Sequence, residues 1–350
     1  MALLDMEHID RLMDDGVRRA LRRERVFRDR GNPLDVLDDL QLYERFRLDR
    51  QGIMDITEML DDVLRRATNR SQALAPSLQV LIALRFYAGG AFQITTGDTL
   101  KVSKSSASRA IQRVSLAISA RLNEFVYYPT EPADITRVRV QFQAIAGFPG
   151  VLGVIDGTQV KVKGPRRREY EYVGRKGGHT MNVQAVALPD GTFSNVLVKY
   201  PGSAHDSRIF RESPLYRDLQ AGRKQGLLLG DSAYALSTFL MKPLPNPVTD
   251  PEKRYQKAFL TTRATVERTF GQLKGRWNCL HQELRYSPPR CCAIIGACVG
   301  LRNFATRHHM QRFPAVDDLA EAVEVDDLLN AAAPDGKVKQ QQIIRQYFND

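Results

Sequence analysis

Residues 150–163, "GVLGVIDGTQVKVK", change the period of the chain. Upstream, apolar residues recur at the spacing of one helix face. Here an apolar run reaches Asp156 and then alternates with polar residues, as a strand does. The downstream sequence extends the pattern. "HTMNVQAVALPDGTFSNVLVKY" predicts strands over 180–188 and 193–200, joined by the turn Pro189, Asp190, Gly191. "AHDSRIFRESPLYRDLQ" (204–220) predicts a helix, and "QGLLLGDSAY" (225–234) a short apolar strand ending at Gly230 and Asp231. A further helix precedes a long one containing Glu267.

Three strands, a helix, a strand that continues the sheet, and then helices are the order of an RNase H-like α/β domain. We assign it to residues 146–310. Residues 1–145 read as an all-α region. Residues 311–350 read as a tail, "VDDLAEAVEVDDLLN" included, that is acidic and either helical or flexible.

The 350 residues carry a net charge of +11 and are 43% hydrophobic, the balance of a soluble chain with a real core. No apolar run reaches membrane-spanning length, and the N-terminal residues include acids where a signal peptide has a basic lead, so an intracellular protein is expected. The charge is unevenly placed. Residues 101–300 hold 30 basic and 15 acidic side chains, while 1–100 hold 15 and 17 and 301–350 hold 6 and 8. A basic middle between acidic flanks fits a surface for a polyanion, although a generally solvated basic surface gives the same count.

Residues 77–122 resemble a helix-turn-helix unit. "SLQVLIALRFYAGG" reads as an apolar helix closed by Gly89 and Gly90, "FQITTGDTL" as a short second helix, and "SSASRAIQRVSLAISARL" as a longer third. In the third, Ala107, Ile111, Val114, Ile118 and Leu122 form one stripe, leaving Ser105, Ser106, Ser108, Arg109, Gln112 and Arg113 exposed beside Lys104. Short polar and Arg side chains near a helix N-terminus suit DNA, and a plain helical bundle is the alternative.

The chemistry-bearing residues are acids. Asp156 and Asp231 are each expected to close an apolar strand, and ligands of open α/β sheets lie at the carboxyl ends of strands. Two carboxylates there repel unless a cation sits between them, and a hard divalent ion takes carboxylate oxygens. Asp206, in "GSAHDSR", is either a third ligand or a helix cap. Glu267 is the one acid among seven Lys and Arg in "KRYQKAFLTTRATVERTFGQLKGRWNCLHQ" (253–282). Arg263, Glu267 and Lys274 share a helix sector beside the apolar stripe Val266, Phe270, Leu273 and Trp277. Alone, Arg263 and Glu267 would be an ordinary ion pair.

With the two aspartates added, the chain resembles a DDE transposase, most of all the PIF/Harbinger group and the domesticated harbinger transposase-derived nucleases of vertebrates. The resemblance runs from about Ser77 to Asn303. It rests on "SLQVLIALRFYAGGAFQITTGD", "GVIDGTQVKVKGP", "YVGRKGGHTMNVQAV", "YPGSAHDSRIF", "LLGDSAYALSTFLMKPL" and "AFLTTRATVERTFGQLKGRW". The Arg263, Glu267, Lys274 spacing also resembles the signature of bacterial insertion-sequence relatives. Leu260 stands where that signature has Tyr, and Arg302 stands where the family often has the His of Leu-His-Asn.

The resemblance implies that Asp156, Asp231 and Glu267 are a catalytic triad holding two divalent cations, Mg²⁺ or Mn²⁺, with Asp206 an additional ligand. It implies DNA contacts from Arg263 and Lys274 and from the loop "KGPRRREYEYVGRKGG", through Lys163, Arg166, Arg167, Arg168, Arg175 and Lys176. Lys104, Arg109 and Arg113 would be accessory. It further implies a nuclear location, shared in part with the cytoplasm, a Myb/SANT-like partner and the option of a homo-oligomer. The expected function is a metal-dependent DNA endonuclease; a non-enzymatic DNA-binding scaffold and a metal-dependent RNA nuclease are the rival readings.

Cys279, Cys291, Cys292 and Cys298 match no paired zinc motif. "PRCCAIIGACVGLRNFA" reads instead as a buried helix with Cys as a small apolar residue. No glycine-rich nucleotide loop is present.

Overall fold

The computed structural model describes residues 32–65, 73–90, 100, 102–174, 177–313 and 333–349. The short second helix of the helix-turn-helix reading and the acidic stretch of the tail lie outside these residues, apart from Leu100.

Helices α1 (Asp39–Phe46), α2 (Arg50–Met59), α3 (Pro76–Gly89), α4 (Lys104–Ala120) and α5 (Pro132–Ala146) precede the sheet. Each boundary has a local cause. Asp38 caps α1 through a capping box with Gln41, Ser103 caps α4, and Gly90 ends α3 in the left-handed region at φ 64°. Helix α3 is buried around nearly its whole circumference, which is why its sequence shows so little polar periodicity. It packs on α4, where the Tyr87 hydroxyl meets Ser115 Oγ at 2.7 Å. The stripe Ala107, Ile111, Val114 and Ile118 is fully buried as expected, and the helix stops just before Leu122.

Among the described residues the sheet has five strands in the order β3-β2-β1-β4-β5. Strands β1 (Val151–Lys161), β2 (Thr180–Ala187) and β3 (Phe193–Pro201) form an antiparallel meander, with Asp156 opposite Ala185. Helices α6 (Asp206–Arg211) and α7 (Pro214–Gln220) lead to β4 (Leu227–Leu229), which runs parallel to β1, and β5 (Leu240–Met241) runs parallel to β4. This is the RNase H-like arrangement. One expectation fails: between β4 and the long helix the chain forms the two-residue strand β5, not a helix, because Leu240 and Met241 are completely buried against β4 and complete the sheet edge.

The long helix α8 (Asp250–Arg276) starts at a Thr249–Glu252 capping box and packs on β1, β2 and α5. Its stripe Val266, Phe270, Leu273 and Trp277 is buried as the spacing predicts. Helix α9 (Pro288–Arg307) packs on α4 and β3 and buries Cys291 and Cys298 as small apolar residues. Helix α10 (Pro334–Tyr347) packs on α8 and β5, with Gly336 against the backbone of Ser237.

Candidate active site

Asp156 does not close its strand. Strand β1 continues to Lys161 because β2 pairs with it from Val154 onward, whereas β4 pairs only with Val151, Gly153 and Val154. The crevice arises because the neighbour stops: Asp156 lies just beyond the end of β4, where Gly230 and Asp231 follow. The carboxyl-end rule holds through β4, not through β1.

Three aspartates converge there. Asp206 opens α6 one residue after the N-cap position, which falls on His205. Its Oδ1 accepts a hydrogen bond from Asn182 Nδ2 at 2.7 Å, and its main-chain carbonyl accepts one from Gln184 Nε2 at 2.9 Å. Gly157 makes room for this carboxylate: a Cβ on residue 157 would stand 2.4 Å from Asp206 Oδ1. Asp231 is buried, and its Oδ1 accepts from the Ala233 amide at 3.0 Å.

Asp156 is 16% exposed; its Oδ1 accepts from the Gly157 amide at 2.9 Å and its Oδ2 from Arg263 at 3.1 Å. Burial pushes its carboxyl up to about 8; Arg263 opposes the shift, and the charges of Asp231 and Asp206 add to it. The fully buried Tyr234 hydroxyl registers the same cluster. Burial raises its pKa, followed by the negative charges of Asp206, Asp156 and Asp231. Gln184 Nε2 also donates to this hydroxyl, at 3.0 Å.

Glu267 reaches the cluster through an intermediary. Arg263, one turn earlier on α8, donates to Glu267 Oε1 at 2.6 Å and to Asp156 Oδ2, so one guanidinium spans the first and third acids. As the side chains stand, no three His, Cys, Asp or Glu among the described residues are grouped to hold a metal ion. The residues nonetheless fit a hard divalent cation. All are oxygen donors, like charges are crowded in a poorly solvated crevice, and a cation already bridges two of them.

The expected DNA contacts divide. Lys274 is buried, 4% exposed, and donates to the Gln159 carbonyl at 3.0 Å: it sits on the inner face of α8 and braces β1, and no open surface remains for a strand to reach it. Lys163, Arg166, Arg167 and Arg168 are exposed on the loop after β1. That loop is pinned by a His179–Glu169 contact of 2.8 Å, a Val162–Leu284 bridge and a bond from the Ser203 amide to Glu171 O at 3.1 Å. Arg175 and Lys176 lie outside the described residues.

On α4, Lys104 and Arg109 are exposed, but Arg113 donates to the Val63 carbonyl at 3.2 Å and Ser108 accepts from Arg290 at 3.0 Å. The expected polar face is therefore narrower. The two basic sets are linked through residues 284–290, since Leu284 O accepts from the Lys163 amide at 3.0 Å while Arg290 holds Ser108.

Sequence reasoning missed Gly157, Asn182, Gln184 and Tyr234. A signal existed for the amides: two of them at alternate positions of the apolar "TMNVQAVA" share one face of a strand whose residues are all buried.

Known proteins resemble this chain over most of its length. Residues 155–303 match a family described as DDE superfamily endonuclease. A human protein named "Putative nuclease HARBI1" is 38% identical, the alignment covering 79% of this chain and 87% of the relative. The chain belongs to the Harbinger-type DDE endonucleases. The Xenopus laevis member of the same name is 34% identical over 79% of this chain and 88% of its own. An Arabidopsis thaliana "Protein ALP1-like" is 23% identical over 71% and 70%. No solved structure matches the chain.

In this Harbinger-type chain the Arg302 guanidinium is buried. It donates to the Gly191 carbonyl and to Gln272 Oε1, the latter at 2.8 Å, and burial pushes its pKa down to about 9. Beside it, Asn303 exchanges bonds with the Phe193 amide (2.9 Å) and carbonyl (2.7 Å). Together they clamp the β2–β3 turn and do not touch the acids.

Proposed function

We propose that the protein is a divalent-metal-dependent DNA endonuclease, acting in the nucleus with a Myb/SANT-like DNA-binding partner. The observation that carries the chemistry is the convergence of Asp156, Asp206 and Asp231 past the end of β4, with Glu267 brought in by Arg263. Asp156, Asp231 and Glu267, joined by Asp206, would hold Mg²⁺ or Mn²⁺. When bound, such ions lower the pKa of an attacking water and stabilise the leaving oxygen of an in-line phosphodiester displacement.

The chain's own residues do the rest. Asn182 and Gln184 fix the orientation of Asp206 from the carboxylate side and the backbone side. The missing Cβ of Gly157 lets that carboxylate approach β1. Burial of the aspartates limits their solvation, so their negative charge is satisfied by a cation more than by water. Lys163 and Arg166–Arg168, with Lys104 and Arg109, supply the exposed positive charge for the phosphodiester backbone. The deciding experiment is nicking of supercoiled plasmid with and without Mg²⁺ or Mn²⁺. Cleavage that requires metal and disappears in Asp156→Asn and Glu267→Gln supports the reading. Metal-independent DNA binding without cleavage, unchanged by those substitutions, supports the scaffold reading instead.

A further inference from the structure

We propose that Arg263 is a positioning residue that couples DNA binding to metal binding: its guanidinium holds Asp156 and Glu267 until a DNA phosphate takes it, and only then can both carboxylates turn to a cation. The inference rests on the metal-site reading above. Arg263 donates to Asp156 Oδ2 at 3.1 Å and to Glu267 Oε1 at 2.6 Å, placing a single positive group between the acids a divalent ion would join. Among the described residues no three acids are grouped as they stand, so at least one carboxylate must move for a shared ion, and Arg263 is the cation that ties Asp156 to Glu267.

The tether is also poised to let go. Glu267 is 51% exposed and Arg263 20%, so the Glu267 end of the bridge is open to solvent. A planar guanidinium binds phosphate in the same forked geometry as carboxylate, so exchange from Glu267 to a phosphodiester keeps its hydrogen bonds. Lys274, the other cation of the same helix sector, cannot serve this purpose because it is buried on Gln159. Arg263 and metal then compete for the same oxygens, whereas DNA and metal favour each other. By linkage, DNA must tighten metal binding by the factor by which metal tightens DNA binding.

The test is calorimetric titration of the purified full chain with Mn²⁺ for wild type, Arg263→Gln, Asp156→Asn and Glu267→Gln. It is run without DNA and with a short phosphorothioate duplex that resists cleavage. Arg263→Gln is expected to bind Mn²⁺ at least about tenfold more tightly than wild type without DNA. Duplex should tighten Mn²⁺ binding to wild type by a similar factor and leave Arg263→Gln nearly unchanged. Arg263→Lys, which keeps the charge but loses the fork, should fall between them and guards against misfolding of the Gln variant. If Arg263→Gln and Arg263→Lys bind Mn²⁺ no more tightly than wild type while Asp156→Asn abolishes binding, the coupling is refuted and the metal site stands. If Asp156→Asn and Glu267→Gln bind Mn²⁺ as wild type does, the metal-site reading fails and the coupling with it.

Discussion

At the scale of single residues, the site depends on an absence as much as on its acids. Gly157 leaves the space that the Asp206 carboxylate fills, and a methyl there would overlap it at 2.4 Å. Gly157→Ala is expected to cost about 1–3 kcal/mol of stability by overpacking and to weaken Mn²⁺ binding, checked by thermal melt and titration on one preparation. Asp156 yields a pH prediction. Its carboxyl is raised from 3.8 to about 8, so between those values the folded chain holds a proton that the unfolded chain has released. Metal-free stability from this group is complete below the lower value and is lost as pH rises through the upper one. Melting of the metal-free protein should therefore fall from pH 5 to pH 8 more steeply in wild type than in Asp156→Asn, the gap between them shifting in favour of the variant with rising pH. The acids were legible in the sequence because an aspartate that ends an apolar run and a lone glutamate among cations mark themselves. Gly157 and Tyr234 were not, since a glycine's use depends on what crosses it, and Asp206 comes from a helix that packs on β2.

At the scale of elements, the helices and the meander could be read from periodicity and caps. Strand β5 escaped because two residues carry no period, and the true extent of β1 escaped because it is set by its partner β2. Helix α8 repaid the reading only in part. Its apolar stripe is as spaced, yet Lys274 falls on the buried side, because a helix lying on a sheet covers a wider sector than the stripe alone defines. Two joints should show measurable cost. Thr249→Ala removes the α8 capping box and should cost about 1 kcal/mol by thermal or chemical denaturation. Asn303→Ala leaves the Phe193 amide and carbonyl without their partner in a buried turn and should cost more, about 2–4 kcal/mol.

At the scale of the whole molecule, part of the charge excess of residues 101–300 is carried by buried Arg and Lys with structural partners and not by the surface. Lys274 and Arg276 are buried in this way, as is Arg302 just beyond that segment. The raw net charge therefore overstates the surface offered to a polyanion, which counting along a sequence cannot reveal. Replacing Arg166, Arg167 and Arg168 together by Gln should lower the slope of log affinity against log salt for duplex DNA by about 2–3, measured by fluorescence anisotropy. Replacing Arg302 should alter stability and leave that slope unchanged.

The central claim is that these four acids hold a divalent cation for work on DNA, with Arg263 released when they do. Anomalous diffraction from crystals of the full chain with duplex and Mn²⁺ tests it most directly. The account predicts an anomalous peak within bonding distance of Asp156, Asp231 and Glu267, with the Arg263 guanidinium moved onto a phosphate. Duplex bound with Arg263 still bridging Asp156 and Glu267, and no peak at the acids, would contradict it.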